Sequence, residues 1–277
     1  MEYVEFKASV EPLEVGRDIL IAELAEVGFE SFVETETGVE AYIQKELFSL
    51  KEIEKVGILN NPNFKVNFST KNIADQNWNA EWEKNFELIN VENGCVVRAP
   101  FHKKVEGVDF DIIIDPKMSF GTGHHETTYL MIKRLLALDL EDKFVMDMGC
   151  GTGVLAILAK LKKANYVEAI DIDEWAYNNT LENVRNNNCN DIVVELGGVE
   201  KITKNQFDVF IANINRNILL NDMEKYAAVI KNKGSLLLSG FFSSDKEMLV
   251  EAAEKLNLKL TYSESKNDWT MLHLIKE

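Results

Sequence analysis

The segment from Phe144 to Asp173, FVMDMGCGTGVLAILAKLKKANYVEAIDID, constrains the fold of this chain more than any other. FVMDM reads as a buried strand, VLAILAKLKK as an apolar-faced helix and YVEAIDID as a second strand. Gly149, Gly151 and Gly153 stand where strand turns to helix, permitting tight backbone geometry and close approach of a ligand to the helix N-terminus. Asp171 follows Gly153 by eighteen residues, about the spacing at which an acid reaches ribose hydroxyls. The unit therefore points to a nucleoside-containing cofactor held by Gly149, Gly151, Gly153 and Asp171, with a purely structural turn as the alternative.

The same alternation runs on from Asp111: strand DIIID, a loop, helix TTYLMIKRLLAL, the glycine unit, helix WAYNNTLENVRNN, strands DIVVE and FDVFIANI, and further helix and strand patterns to the end. Apolar strands alternating with amphipathic helices predict a doubly wound, mostly parallel, Rossmann-like sheet covered on both faces. The closing pair KLTYSES and WTMLHLIK, with no helix between, predicts an antiparallel edge. The first seventy residues follow another plan. Val4, Phe6, Ala8 and Val10 alternate with polar neighbours, a helix runs from Pro12 towards Gly28, and two strands, a short helix and a strand follow. That β-α-β-β-α-β order predicts a small ferredoxin-like α+β domain over 1–70. Between 71 and 90, Trp78, Trp82 and Phe86 at four-residue spacing predict a helical connector, leaving 91–277 to the Rossmann-like domain.

The glycine spacing bears on which nucleoside is bound. The loop is G-x-G-x-G, whereas the dinucleotide fingerprint is G-x-G-x-x-G and cradles a pyrophosphate. S-adenosylmethionine carries no phosphate, and an acid at one strand end with Asn213 at another suits it. Asn213 ends FDVFIANI, where its carbonyl oxygen would accept an amine N–H and aim the nitrogen lone pair at a methyl group. A strand-end turn former is the bland reading of Asn213. A nicotinamide-dependent oxidoreductase using the same crevice, and a non-catalytic protein with a degenerate version of the fold, stay open as alternatives.

Upstream stands a second glycine-bearing loop, DPKMSFGTGHHETT, from Asp115 to Thr128. Its glycines suit a flap, and Thr127 and Thr128 begin the next helix. Adjacent His124 and His125 diverge on most backbones, and no Cys or carboxylate cluster completes a metal set. The 46 Asp and Glu against 30 Lys and Arg leave a net charge of −16, which repels nucleic-acid phosphates and anionic membranes and attracts basic partners. Cys95, Cys150 and Cys189 lack metal spacing and cannot all pair, as in a reducing compartment. With a charged N-terminus and no membrane-length apolar run, a cytoplasmic protein is expected.

FGTGHHETT, then MDMGCGTGVLAI, AIDID and ANI, in that order across Asp115 to Asn213, resemble the PrmA family of bacterial methyltransferases of large-subunit ribosomal protein eleven. The small N-terminal domain and the connector WNAEWEKNF are similar to that family's plan as well. The resemblance implies N-methylation, dependent on S-adenosylmethionine, of lysine side chains and the N-terminal amine of that ribosomal protein. It implies cofactor-binding positions at Thr128, Gly149, Asp171 and Asn213, a covering loop bearing Phe120, Thr122 and His125, and an N-terminal domain that grips the protein substrate. Glu126 stands where the family often has proline, and INRN after Asn213 lacks the proline-aromatic ending of many amino-methylating enzymes. A monomer acting on this protein, or on another basic protein or amine, is the expectation.

Overall fold

The computed structural model describes residues 3–73, 87–92, 94–117, 120–121, 123, 125–202 and 206–277. The chain divides into two compact units, Met1–Asn85 and Phe86–Glu277.

The first unit contains β1 (Tyr3–Glu11), α1 (Leu13–Glu26), β2 (Ser31–Glu34), β3 (Gly38–Gln44), α2 (Leu50–Ile53) and β4 (Lys65–Ile73). They form a four-stranded antiparallel sheet in the order β2-β3-β1-β4. Val4, Phe6, Ala8 and Val10 all point to the buried face, as strand alternation dictates, and meet Leu20 and Leu24 of α1. The connector stripe of Trp78, Trp82 and Phe86 lies outside the described residues.

The second unit contains β5 (Ile89–Val91), β6 (Cys95–Arg98), β7 (Phe110–Ile113), α3 (Glu126–Leu136), β8 (Phe144–Met148), α4 (Val154–Leu161) and β9 (Tyr166–Asp171). It continues with α5 (Glu174–Asn186), β10 (Val193–Leu196), β11 (Phe207–Asn213), α6 (Arg216–Val229), β12 (Ile230–Phe242), α7 (Lys246–Glu254), β13 (Leu258–Lys266) and β14 (Trp269–Lys276). Seven strands make the main sheet, in the order β10-β9-β8-β11-β12-β14-β13. The first five are parallel, and β14 runs antiparallel to both β12 and β13. Neighbouring residues of β8 serve opposite layers: Val145 packs with Leu130 and Ile157, and Met146 with Leu219 and Met223. Helices on both faces explain why these strands read as continuous apolar runs rather than alternating ones.

The structure corrects the expectation for DIIID. Its strand, β7, pairs with β6 in a separate three-stranded sheet, β5-β6-β7, and not in the main sheet. The last residue of β7 and the chain just beyond it are met by side-chain amides from the end of α5 and its C-cap. Asn187 Oδ1 accepts from the Ile113 N–H at 2.8 Å, its Nδ2 donates to the Ile113 carbonyl at 2.6 Å, and Asn183 Oδ1 accepts from the Asp115 N–H at 2.9 Å. With Asn183 and Asn187 four residues apart, one helix face supplies the partners another strand would have given. β5 begins at Ile89, inside the stretch expected to be connector; a three-residue strand is too short to show a period. Among the described residues, no helix is long and apolar enough to cross a membrane.

Candidate active site

The carboxyl ends of β8, β9 and β11 open into a cleft of about 540 Å³. Its floor is the glycine loop. The N–H groups of Gly149 and Cys150 both donate to the Ile170 carbonyl, at 2.8 and 3.1 Å, pinning the loop to β9. Gly151 adopts φ +57°, and a Cβ there would drive into the Phe120 carbonyl; one at Gly149 would drive into Ile214. Only glycine satisfies this backbone at this proximity. Gly153 has another task. It faces Thr180 at the N-cap of α4 and does not line the cleft.

Asp171 lines the cleft and braces its floor: Oδ2 accepts from the Gly151 N–H at 2.9 Å and Oδ1 from the Asp173 N–H at 3.0 Å. Asp147 lies beneath. Its Oδ2 accepts from the Ala156 N–H at 3.1 Å, while Oδ1 is buried with no partner among the described residues. Burial pushes this carboxyl up to about 7. Asn213, at the end of β11, is 8% exposed and lines the cleft. Its Oδ1 is buried and unpartnered among the described residues, and its Nδ2 sits 3.5 Å from Thr128 Oγ1. Thr128 is wholly buried and does not line the cleft; it reaches the site through Asn213.

The cleft mouth is aromatic. His125 caps α3, which begins at Glu126, one residue before the expected start, and His125 Nδ1 accepts from the Thr127 N–H at 3.3 Å. The His125 ring lies 5.1 Å from Phe120 and 4.6 Å from Trp269, whose own ring stands 4.3 Å from Phe242. Glu126, at the family's frequent proline position, accepts a 2.8 Å hydrogen bond from Asn267 Nδ2 and so ties the β13–β14 turn to the start of α3. Thr122 and His124 lie outside the described residues. Among the described residues, no group of three or more His, Cys, Asp or Glu could hold a metal. All three cysteines are buried, and burial pushes Cys95 up to about 12 and Cys189 to about 11, so those two stay thiols.

Sequence reasoning brought Phe120, His125, Gly149, Gly151, Asp171 and Asn213 to one cleft, and the structure places them there. It missed Trp269, Asp222 and Tyr226, which also line it. Nothing in WTMLHLIK or NDMEKYAAV marks those residues off from ordinary strand and helix positions. Asp173, a further lining residue, was visible as the second acid of IDID.

The chemistry of these donors and acceptors fits S-adenosylmethionine: a cradle with no room for Cβ atoms, a carboxylate at the end of the second parallel strand, and buried acceptor oxygens that lack donors among the described residues. A dinucleotide-binding sheet runs 3-2-1-4-5-6, and the main sheet here adds an antiparallel strand between its fifth and outermost members. A cleft of this kind on a sheet of this order defines an S-adenosylmethionine-dependent methyltransferase. The sequence model of the family described as ribosomal protein L11 methyltransferase (PrmA) matches residues 8–277. The chain belongs to that family. It is 45% identical over 273 residues to the ribosomal protein L11 methyltransferase of Bacteroides thetaiotaomicron, covering 97% of this chain and 98% of that one. It is 47% identical over 266 residues to that of Porphyromonas gingivalis, covering 94% and 91%. Its fold is similar to the crystal structure of the ribosomal protein L11 methylase from Lactobacillus delbrueckii subsp. bulgaricus, with a TM-score of 0.65 at 23% identity, covering 69% of this chain and 100% of that one.

Proposed function

We propose that the protein transfers methyl groups from S-adenosylmethionine to lysine side-chain amines and the N-terminal amine of ribosomal protein L11. The observation that carries this reading is the Asn213 side chain lining the cleft, its Oδ1 buried and, among the described residues, unpartnered. When bound, S-adenosylmethionine supplies a methyl group on a sulfonium, open to in-line attack. Asn213 Oδ1 accepts one N–H of the neutral amine and turns its lone pair towards that methyl, a positioning contribution. As the N–C bond forms and the C–S bond breaks, the spare amine proton passes to water. Thr128 holds the Asn213 amide in place.

The amine must first be neutral, and removing the proton from lysine near pH 7 costs about 4 to 5 kcal/mol. Phe120, His125, Trp269 and Phe242 bring four rings together at the cleft mouth; an amine seated among them and shielded by the docked substrate is disfavoured as ammonium, so no dedicated general base is needed. Gly149 and Gly151 hold the cofactor's amino-acid end by close backbone approach, Asp171 accepts from the ribose hydroxyls, and the loop bearing Phe120 and His125 covers them. The four-stranded N-terminal unit grips the protein substrate. The net charge of −16 steers a basic ribosomal protein inward and repels ribosomal RNA, so the free protein is the substrate, before assembly. The enzyme works as a cytoplasmic monomer without binding nucleic acid.

Incubation with purified L11 and labelled cofactor, followed by mass spectrometry, is expected to place methyl groups on lysine and N-terminal nitrogens. Label that enters other proteins of an extract while sparing L11 would overturn the substrate. Faster labelling of intact subunits than of free L11 would overturn the timing.

A further inference from the structure

His273 of β14 is 4% exposed and its side chain joins β14 to α3 and β12. Arg134, in the last turn of α3, directs Nε and Nη2 at its Nδ1, at 3.0 and 2.7 Å. Its Nε2 lies 2.9 Å from Ser235 Oγ. Arginine only donates, so Nδ1 accepts from the guanidinium and the ring proton sits on Nε2, directed at Ser235. Burial first, and then the Arg134 charge, pull the imidazole down to about 4, so it stays neutral and keeps that acceptor. β13 carries a bulge opposite: Leu260 pairs with Leu274 and Tyr262 with His273, leaving Thr261 over. The Thr261 hydroxyl donates to the His273 carbonyl at 3.0 Å, and the Tyr262 ring lies under the Arg134 guanidinium at 4.5 Å. A bulge re-aims the side chains beside it, so helix, strand and bulge converge on the Arg134–His273 pair. None of the roles given above uses that pair.

The same helix and strand meet again at the cleft mouth, where the His125 ring stands 4.6 Å from Trp269. From His125 to Arg134 is nine residues of helix, about 13.5 Å at a rise of about 1.5 Å each. From Trp269 to His273 is four residues of strand, about 13.6 Å at a rise of about 3.4 Å each. The two elements therefore travel equal distances between one contact at the cleft and one remote from it. We infer that the Arg134–His273 pair fixes the register of α3 along β14, which makes His273 a positioning residue for methyl transfer. It sets His125 against Trp269 and, through the same helix, Thr128 against Asn213. An apolar contact at position 273 could slide, whereas a two-pronged hydrogen bond has one geometry, and fixing register is the best-attested use of a buried polar pair. The other ties from α3 to β13 and the turn after it, Lys133 to Glu264 at 2.7 Å and Asn267 to Glu126 at 2.8 Å, are more exposed and hold less firmly. This rests on the methyl-transfer reading above.

The test compares His273→Leu, which removes the acceptor at similar size, with His273→Gln, whose amide offers its oxygen to Arg134 and its NH2 to Ser235. Turnover on L11 is expected to fall about 30-fold in His273→Leu, as misplacing a reacting group does, while affinity for S-adenosylhomocysteine stays within about threefold of wild type. His273→Gln is expected to turn over within about threefold of wild type, because the bond pattern is restored. Arg134→Lys, at a half-buried position, keeps the charge but replaces the rigid fork with a point donor, and turnover is expected to fall about fivefold. That variant carries the test if His273→Leu does not fold. ¹H–¹⁵N spectra of the ligand-free protein read the register without activity. The Trp269 indole signal, identified by its absence from Trp269→Phe, is expected to shift in His273→Leu and Arg134→Lys and to keep its wild-type position in His273→Gln. Wild-type turnover in Arg134→Lys or in folded His273→Leu, a loss in His273→Gln as large as in His273→Leu, or an unmoved indole signal overturns the assignment. Wild-type protein that leaves L11 unlabelled would instead overturn the substrate reading, and the indole signal would still decide the register.

Discussion

Thr152, in the downstream glycine loop, donates its backbone N–H to the carbonyl of Phe120, in the upstream loop, at 2.9 Å. Its hydroxyl donates to the next carbonyl, Gly121, at 2.6 Å, and its own carbonyl accepts from Asn183 Nδ2 at 2.9 Å. Asn183 in turn holds the Asp115 N–H, so one threonine and one asparagine fasten the start and the middle of the upstream loop to the floor of the cleft. Floor and lid are bonded to each other as well as adjacent. Phe120, which lines the cleft, is therefore placed by the glycine loop that forms its floor.

Thr152→Val keeps the side-chain shape and removes only the bond to Gly121. Stability is expected to fall by about 0.5 to 1.5 kcal/mol, the usual worth of one such bond. Methyl transfer is expected to slow more than affinity for S-adenosylhomocysteine declines, because the covering aromatic loses its anchor. Thermal unfolding and single-turnover kinetics measure the two effects, and an unchanged transfer rate would show that the backbone bond alone holds Phe120.

Asn213→Ala is expected to keep most of its affinity for S-adenosylhomocysteine while turnover on L11 falls about 100-fold, the penalty of misplacing a reacting group. Calorimetry and steady-state kinetics separate the terms. Equal losses in both would assign the amide to holding the cofactor.

Gly151→Ala places a side chain at φ +57° against the Phe120 carbonyl. The left-handed backbone alone costs about 1 to 2 kcal/mol, and displacement of the carbonyl adds to it. Both a lower unfolding temperature and an affinity for S-adenosylhomocysteine weakened by at least about tenfold are expected, the latter equivalent to 1.4 kcal/mol. Wild-type affinity in a folded variant would mean that the loop has slack this packing does not show.

Asp147 carries a pH signature. Its carboxyl rises from an ordinary 3.8 to about 7 because burial disfavours the charge. Between those values the folded protein holds a proton that the unfolded chain has released, so this group's contribution to stability falls as pH rises through the window and is flat above it. Asp147→Asn removes the contribution while keeping an acceptor for the Ala156 N–H. Denaturant unfolding from pH 4 to 8 is expected to show the variant gaining on the wild type as pH rises to about 7 and holding its advantage beyond. An advantage independent of pH would place the effect in packing.

The glycine unit, the acid at the end of β9 and the amide at the end of β11 were legible in the residues because each depends on local chemistry: a backbone only glycine adopts, and strand ends that a parallel sheet gathers along one edge. Alternation in β1 and apolar runs in β8 and β11 likewise announced one-sided and two-sided burial, since side-chain direction follows from strand geometry. Partnership across the chain was not legible. That β7 leaves the main sheet for the amides of Asn183 and Asn187, that Trp269 meets His125, and that Asp222 and Tyr226 turn into the cleft all depend on which elements lie against one another. Periodicity names the face a residue occupies, whereas only the closed packing of sheet and helices decides what that face meets.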